Sequence, residues 1–575
     1  MRHHILIIFS IAALIALGAA VENAGVYRDF KSQLQKITLP SPPLQFRSIW
    51  TILEKLGHEL NYPKEYQKLQ DRQTGNFNLK DSISLDSTNP GHAENWRPHD
   101  DIPMGQYPSS LIMDQEAVAR GVPILSVVAD EYDLFDPMTG IIANRTEKGK
   151  SWERPCFISY YNQGELLFAT GAGLRIHGFS RKPPKSLPLR FYFRSLYGYD
   201  QFKPGALFSE VSVPLRQIIA RREPNFRNML AMDLARRIGC LTPEYLPALI
   251  YLNGSKYGDS YVLIEHLNDK WLQSRYGHDH FVLLRTTGHK EQRDKSPEYQ
   301  KLLKWANDGA VRMTMQEVGK RVDIDNLCRW FMSQFYTAGY DMYQGPVILE
   351  KKNPDAKWFW INWDMDASFT NGVEPEKAHV WEKENNIRNV MLNPPRDRSD
   401  EKTARYQNED PRAILFRRMH QDDPEFRTYF ERLYMDVMNH KLTPQYLEAW
   451  FERQSRILLA IQPEERTYLE ESIRPFITHR AGYLRGLMQK YFGSEASFSC
   501  TLEGLENTRT IIDGFAHEGP YTGWYFKGST ITVAIPDTDA RAIDHWTVNG
   551  KKSNAGSLDL KHVVDATTTI RPVFK

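Results

Sequence analysis

Short runs of apolar residues recur between about residues 120 and 280, and they are separated by polar turns. Runs of four to eight apolar or alternating residues bounded by turn residues predict β strands. The segment Asp136-Pro137-Met138-Thr139-Gly140 has the composition of a tight turn. The predicted strands are Val122–Val128, Cys156–Tyr161, Leu166–Ala169, Leu174–Ile176, Leu187–Phe193, Ala248–Leu252 and Tyr261–Glu265.

The apolar period changes to that of a helix after residue 280. Apolar residues recur at helical spacing from Ile324 to Phe335, and Asp323 or Asp325 is placed to cap the helix. Gly339 is expected to end it. Further amphipathic helices are predicted over 425–492, and the polar segment 393–412 is predicted to be an exposed loop.

Strand patterns return in the last eighty residues, where apolar residues alternate from Thr530 to Ile535 and a final strand is predicted over Thr569–Phe574. The predicted organisation is therefore a short N-terminal region of amphipathic stretches and linker over 21–115, a main domain over 116–495, and a small all-β domain over 496–575. The fold class is α+β.

Residues 1–20 have the pattern of a signal peptide. A short basic start at Arg2 precedes an apolar stretch from Ile5 to Leu17, interrupted only by Ser10, and small residues follow it. We expect an exported protein without a transmembrane span after cleavage; the alternative is an uncleaved N-terminal anchor. The net charge of +2 over 575 residues gives no reason to expect a nucleic-acid partner. The four cysteines contain no C-x-x-C pair, so no zinc site and no disulfide pairing are assigned.

The segment 339–370 carries the candidate chemistry. Pro346–Lys351 and Lys357–Asp364 are predicted to be the two strands of a hairpin that turns at Asn353-Pro354-Asp355-Ala356. A hairpin brings its ends together, so Asp341 is expected near Asp364. Phosphoryl transfer needs one group that accepts a proton from the nucleophile and another that binds divalent cations. Asp366 is expected on the same side as Asp364 if the segment is extended. The alternative is that these aspartates are ordinary loop and turn residues.

Several motifs, in this order, resemble the spore-coat protein H (CotH) kinase family over roughly residues 120–375. They are Leu134-Phe135-Asp136-Pro137 with Thr139-Gly140-Ile141, Glu153-Arg154-Pro155, Gly173-Leu174-Arg175-Ile176-His177-Gly178, Ser180-Arg181, Pro184-Lys185-Ser186-Leu187, Tyr251-Leu252-Asn253-Gly254, Asp325-Asn326 and Trp363-Asp364-Met365-Asp366. The resemblance implies a distant relative of the protein-kinase fold with two lobes, a β-rich N-lobe and a helical C-lobe.

The resemblance also implies site residues. Asp341 would be the catalytic aspartate, and Asp364 the main ligand of Mg²⁺ or Mn²⁺. From its spacing alone, Asp366 is a candidate to ligate a second ion or to support the first. On the nucleotide side, Lys185 would pair with the phosphates of ATP, and Glu265 would hold that lysine by an ion pair. Arg175 and Arg181 are further candidates for phosphate contact. The implied activity is transfer of the γ-phosphoryl group of ATP to Ser or Thr of an exported protein, in the periplasm, at the cell surface or outside the cell.

One departure from the family leaves another function open. The family's second metal ligand, an Asn four or five residues after the catalytic Asp, is replaced here by Gly345 and Pro346. Gln344 is the candidate substitute, since its side-chain oxygen can bind a hard cation. The sequence also contains no glycine-rich G-x-G-x-x-G phosphate-binding motif, and Gly171 and Gly173 match this motif only in part. The alternative is therefore a catalytically weak or inactive surface-binding or adhesion protein.

The C-terminal segment 497–575 resembles small β-repeat modules of bacterial surface proteins. The motif that carries this likeness is His545-Trp546-Thr547-Val548-Asn549-Gly550. It implies attachment to a cell-surface or matrix ligand. The alternative is a passive packing module with Trp524 and Trp546 in its core.

Overall fold

The computed structural model describes residues 117, 120–178, 186–194, 197, 208, 215–285, 295–339, 344–369, 410–505, 508–536, 543–553 and 559–574. The predicted signal peptide and the N-terminal region 21–115 lie outside these residues. The chain divides into two compact units, and each is described separately below. The first unit contains the described residues up to Arg222 together with Glu244–His266, and the second contains Glu223–Pro243 and everything from Leu267 onward.

The first unit, here called the barrel unit, is a closed β barrel. Its strands are β1 (Ile124–Ala129), β2 (Arg154–Asn162), β3 (Glu165–Ile176), β4 (Leu189–Tyr192), β5 (Gln217–Arg222), β6 (Tyr245–Leu252), β7 (Ser255–Lys256) and β8 (Tyr261–Glu265). Neighbouring strands pair in the order β1-β2-β3-β4-β5-β8-β6, and β1 then pairs with β6 in parallel to close a ring of seven strands. The two-residue strand β7 extends β6, and the short helix α1 (Glu131–Phe135) follows β1.

Alternation along the strands fills the barrel. Leu125, Val127 and Ala129 of β1 belong to the same buried apolar cluster as Cys156 and Ile158 of β2. Side chains two residues apart in a strand share a face, so each strand presents every second residue to this core. Closing the sheet removes exposed strand edges, which would otherwise be free to pair with another chain.

One detail of the barrel differs from the sequence prediction, and another confirms it. The strands predicted at 166–169 and 174–176 are one continuous strand, so Gly171 and Gly173 lie inside β3 and not in a phosphate-binding loop. Gly173 has a packing reason for being glycine: a Cβ there would lie 2.6 Å from the ring of Tyr197 and 2.7 Å from the Glu153 side chain. The predicted turn at Asp136 is confirmed, because its Oδ1 accepts hydrogen bonds from the backbone N–H groups of Met138 and Thr139.

The second unit is mainly helical. Its helices are α2 (Arg227–Ile238), α3 (Asp269–Tyr276), α4 (Pro297–Ala306), α5 (Met315–Val318), α6 (Ile324–Tyr336), α7 (Pro411–Asp422), α8 (Pro424–Asp436), α9 (Pro444–Ile461), α10 (Arg466–Tyr468) and α11 (Arg474–Phe492). Helix α2 and helix α3 interrupt the region that the sequence indicated as strand-rich. Side-chain caps begin several helices; Asp323, for example, accepts a hydrogen bond from the N–H of Asn326 at the start of α6.

A small sheet in this unit carries the predicted hairpin. It consists of β9 (Phe281–Arg285), β10 (Pro346–Glu350) and β11 (Phe359–Trp360), in the order β11-β10-β9 with antiparallel pairing. The hairpin is therefore present, but its second strand is only two residues long instead of spanning Lys357–Asp364.

The C-terminal strands form two sheets. One contains β12 (Ser497–Leu502), β15 (Tyr521–Phe526), β17 (Ile543–Val548), β18 (Lys551–Ser553) and β20 (Thr568–Phe574), and the other β13 (Arg509–Ile512), β14 (Phe515–Glu518), β16 (Thr530–Ala534) and β19 (Asp559–Val563). Trp546 is fully buried, as a packing module requires, whereas Trp524 is 42% exposed and lies beneath the guanidinium of Arg485. These strands are part of the same compact unit as the helices. No helix among the described residues is both long and apolar enough to cross a membrane.

Candidate functional site

Helix α6 holds the hairpin by a pair of side-chain hydrogen bonds. The Asn326 amide accepts from the N–H of Trp360 at 2.7 Å and donates to the carbonyl of the same residue at 3.0 Å. The backbone N–H of Asp323 also donates to the carbonyl of Trp358. The second arm of the hairpin is therefore attached to the first turn of α6.

The other end of α6 leads into the segment that carries Asp341. The helix ends at Tyr336, and the left-handed residue after it is Ala338 (φ +54), so the prediction that Gly339 provides this conformation is wrong. Gly339 is instead small because a Cβ would lie 2.4 Å from the side-chain oxygen of Gln334. Asp341 itself lies outside the described residues.

A buried cation satisfies the carbonyl groups at this helix end. Arg480 of α11 is 1% exposed and donates hydrogen bonds to the carbonyl oxygens of Phe335 and Tyr336. Burial lowers the pKa of Arg480 to about 10, so the guanidinium remains protonated at neutral pH. Cations are favourable at the negative end of a helix, and here the cation defines where α6 stops and the loop begins.

The two arms of the hairpin meet at their bases. The N–H of Ile361 donates to the carbonyl of Pro346, and Val347 pairs with Trp360 in the ladder. Gly345 has φ +95, and a Cβ there would lie 2.3 Å from the carbonyl oxygen of Ile361. Gln344, the candidate metal ligand just before it, is half-buried, and its carbonyl accepts a hydrogen bond from the buried Arg412. The chain around Gln344 and the chain leading to Asp364 are therefore in close contact.

The second arm then leaves the ladder and makes a turn at Asp364. The N–H of Asn362 donates to the carbonyl of Leu241, and that of Met365 donates to the Asn228 side chain at 2.8 Å. These bonds replace ladder bonds to β10, which explains the short second strand. Asp364 has φ +59, so the backbone is not extended there and the expectation that Asp364 and Asp366 share one side loses its premise. Asp364 is half-buried, and Asp366 is exposed.

Asn228 is a positioning residue that the sequence reasoning missed. It is 1% exposed, and its amide donates to the carboxylate of Glu223, which is 3% exposed. The chain of bonds from Glu223 through Asn228 to Met365 holds the residue next to Asp364. The sequence does offer one signal for Asn228: it is a polar residue directly before the apolar run Met229-Leu230-Ala231, where a polar side chain is expected to need a buried hydrogen-bond partner.

The turn after Asp364 is tied back to the end of α6. The N–H of Phe369 donates to the carbonyl of Thr337 at 2.9 Å, and the Ser368 hydroxyl donates to that of Thr337 at 3.3 Å. The segment 363–369 therefore lies beside the residues that follow α6, which are the last described residues before Asp341.

The donor set at this turn suits a small hard cation. No group of three or more His, Cys, Asp or Glu side chains that could by itself hold a metal ion occurs in the part of the chain that the structure describes. Mg²⁺ commonly binds to one or two carboxylates together with waters and substrate phosphates rather than to a cage made only of protein. Asp364 and Asp366 can supply such carboxylates.

The predicted nucleotide contacts belong to the barrel unit. Arg181 and Lys185 lie outside the described residues. Glu265 is fully buried on β8, and its carboxylate accepts a hydrogen bond from the N–H of Glu244. Arg175 lies on β3, and its guanidinium donates twice to Glu153, at 3.0 and 2.6 Å. Arg175 is therefore already neutralised by a carboxylate.

Comparison with known proteins gives two matches. Residues 215–467 match the family described as CotH kinase protein. That range includes Glu265, Asp341, Gln344, Asp364 and Asp366, whereas the other predicted nucleotide contacts precede it. The chain is also similar to the inner spore coat protein H of Bacillus subtilis (strain 168), with 23% identity over 293 residues that cover 45% of this chain and 74% of the relative. Residues 215–467 are therefore similar to the CotH kinase protein family.

Proposed function

We propose that this chain is an exported, metal-dependent atypical kinase that transfers the γ-phosphoryl group of ATP to Ser or Thr hydroxyls of an exported protein. The similarity to the CotH kinase protein family suggests a kinase-like activity. The observation that carries the proposal further is the fold-back at the hairpin base, where Gly345 and Pro346 contact Ile361 next to the Asp364 turn.

In this proposal each aspartate has a separate task. The Asp341 carboxylate accepts the proton of the acceptor Ser or Thr hydroxyl. The oxygen of that hydroxyl forms a bond to the γ-phosphorus, while the bond between the γ-phosphorus and the leaving oxygen of ADP breaks. Asp364 would hold Mg²⁺ or Mn²⁺, with Asp366 and Gln344 as candidate further ligands. The bound cation would neutralise the charge of the phosphates. The left-handed backbone at Asp364 supports a functional assignment, because strained non-glycine residues cluster at functional sites.

On the nucleotide side, the proposal keeps Lys185, Arg175 and Arg181 as candidate phosphate contacts and Glu265 as the partner that holds Lys185. It also keeps the two-lobed arrangement, with the barrel unit as the N-lobe and the helices of the second unit as the C-lobe. The protein would act in the periplasm, at the cell surface or outside the cell. Its C-terminal strands would bind a surface or matrix ligand.

A labelled-phosphate assay tests the aspartate assignments. Purified full-length protein is incubated with γ-labelled ATP and Mg²⁺ or Mn²⁺, and transfer to the protein or to a generic acceptor is measured. Loss of a catalytic base typically costs 10²- to 10⁴-fold, so Asp341→Asn and Asp364→Asn should lose at least about 100-fold. Asp355→Asn is the matched control, because Asp355 is exposed in the distal turn of the same hairpin. Equal transfer by all four proteins would refute the assignment.

The second candidate function is a surface-binding protein without catalysis. The positions of the family's metal-binding Asn favour it: Gly345 has no side chain, and Pro346 is a buried residue of β10 that cannot bind a cation. Absence of transfer in wild type, together with absence of ATP binding by calorimetry, would support this alternative.

A further inference from the structure

A cavity of about 280 Å³ lies within the barrel unit, and none of its lining residues belongs to the hairpin site. It is bounded by β3, β4 and the segment that follows α1. Its lining residues are Ile141, Asn144, Glu147, Lys148, Gly149, Trp152, Arg175, Ile176, Gly178, Arg190 and Tyr192. Trp152 and Tyr192 supply aromatic walls, and three of the remaining side chains are cations.

Two of these cations are directly opposite each other on neighbouring strands. Arg175 of β3 pairs with Arg190 of β4 in the antiparallel register. Like charges at opposite positions destabilise a sheet. Glu153 neutralises Arg175, but the same carboxylate also binds Arg194 at 2.7 Å, so it leaves no net negative charge for the pocket.

Arg190 has no carboxylate partner among the described residues. Its Nε and Nη2 donate to Nδ1 of His177, and its Nη1 donates to the hydroxyl of Tyr192. An arginine has five N–H donors, so these three bonds leave two donors for a ligand.

Lys148 adds a second cation to the pocket. Its ammonium group donates to the carbonyl of Gly178 across the pocket rim, which leaves two of its three N–H donors available. Burial, followed by the charge of Arg190, lowers the pKa of Lys148. Glu147 is the single carboxylate among the lining residues. The pocket is therefore positively charged.

The rim of the pocket is pre-formed by local hydrogen bonds. The Asn144 amide donates to the carbonyls of Pro137 and Gly140, and the N–H of Trp152 donates to the carbonyl of Gly149. The backbone around the pocket is thus held by hydrogen bonds before a ligand binds. The volume lies at the lower edge of the ~300–1,000 Å³ typical of drug-sized ligands, so a compact ligand fits best.

We propose that this pocket binds the phosphate group of a small ligand through Arg190 and Lys148. A phosphate group carries close to two negative charges at neutral pH and presents several acceptor oxygens, which matches the two cations and their remaining donors. The phosphate could belong to a free small molecule or to a nucleotide. Binding here does not depend on phosphoryl transfer at the hairpin site.

Calorimetry and thermal unfolding of the full chain test this proposal with inorganic phosphate as the probe. Phosphate should raise the melting temperature of wild type. Arg190→Gln and Lys148→Gln should each weaken binding by about 10- to 100-fold, the value expected for a hydrogen bond to a charged group. Arg222→Gln is the matched control, because Arg222 lies on β5 of the same barrel, pairs with Asp259 and does not line the pocket.

Further arms identify the source of the phosphate and separate this proposal from the kinase proposal. Competition between phosphate and ATP, with ATP binding equally sensitive to Arg190→Gln, would assign the pocket to the nucleotide. Independent ATP binding would assign it to another phosphorylated small molecule. Asp364→Asn should bind phosphate as wild type does, even if transfer is abolished. Absence of a phosphate effect in wild type, or undiminished affinity in both pocket variants, would overturn the proposal.

Discussion

Replacement of Gly345 by alanine probes the contact on which the hairpin site depends. Gly345 has φ +95, and a Cβ there would lie 2.3 Å from the Ile361 carbonyl oxygen and 3.3 Å from the Trp363 side chain. The nearest atom is a backbone atom of the opposite arm, so it cannot rotate away. The two arms would have to separate at their bases.

The cost of Gly345→Ala can be worked out from two contributions. A left-handed backbone costs an alanine about 1–2 kcal/mol relative to glycine. Separating the arms also removes the hydrogen bond from Ile361 to Pro346, worth about 1 kcal/mol. We therefore expect the free energy of unfolding to fall by about 2–3 kcal/mol. A displacement of about 1 Å at a reacting group can cost about 100-fold in rate, so transfer should fall by a similar factor in protein that is still folded.

Urea unfolding, followed by tryptophan fluorescence, measures the stability change, and the labelled-phosphate assay measures transfer. Gly482→Ala is the control: Gly482 is an exposed residue of α11 whose added Cβ would meet no atom within 4 Å, and alanine is the better helix former by about 1 kcal/mol. Gly339→Ala should lie between them, because its contact is the flexible end of the Gln334 side chain. A Gly345→Ala protein as stable and as active as wild type would refute the described fold-back.

Two further predictions concern the helices that support the site. Burial and the charge of Arg427 lower the pKa of His420 to about 4. Between pH 6.5 and pH 4 the unfolded chain therefore binds a proton at His420 that the folded chain does not bind. The free energy of unfolding should fall by up to about 3 kcal/mol over this pH range. Urea titrations at several pH values should show a smaller loss in His420→Gln, and identical pH profiles would contradict the assignment. Arg480→Met should leave the buried carbonyls of Phe335 and Tyr336 without their donor and lower the free energy of unfolding by about 2–5 kcal/mol. Arg480→Lys should recover part of the lost stability. An Arg480→Met protein as stable as wild type would show that the cation does not hold the helix end.

The hairpin could be predicted because its signals are local. The turn Asn353-Pro354-Asp355 and the apolar runs beside it lie within twenty residues, and turn chemistry specifies such a structure. The geometry at its end could not be predicted in the same way. Asp364 adopts a left-handed backbone because Met365 is bonded to Asn228, a residue 137 positions earlier in the chain.

The barrel illustrates the same limit. Most of its strands were visible as apolar runs, but the pairing of β1 with β6 joins residues about 125 positions apart, and nothing local indicates that the sheet closes. Glycines inside β3 also weakened the strand signal, although Gly173 is small because Glu153 packs against it. Contacts between residues that are distant in sequence thus determine both the turn at Asp364 and the closure of the barrel.

Manganese binding tests the central claim most directly, because Asp364 is proposed to hold the catalytic cation. Mn²⁺ can be titrated into the full-length protein with a non-hydrolysable ATP analogue, and free Mn²⁺ measured by electron paramagnetic resonance. We expect wild type and Asp355→Asn to bind Mn²⁺ with the same nucleotide-dependent affinity. Asp364→Asn should bind Mn²⁺ at least about 10- to 100-fold more weakly, because mutation of residues that only support the ligands of a metal site already lowers metal affinity by about that factor. Undiminished Mn²⁺ affinity in Asp364→Asn would contradict the account.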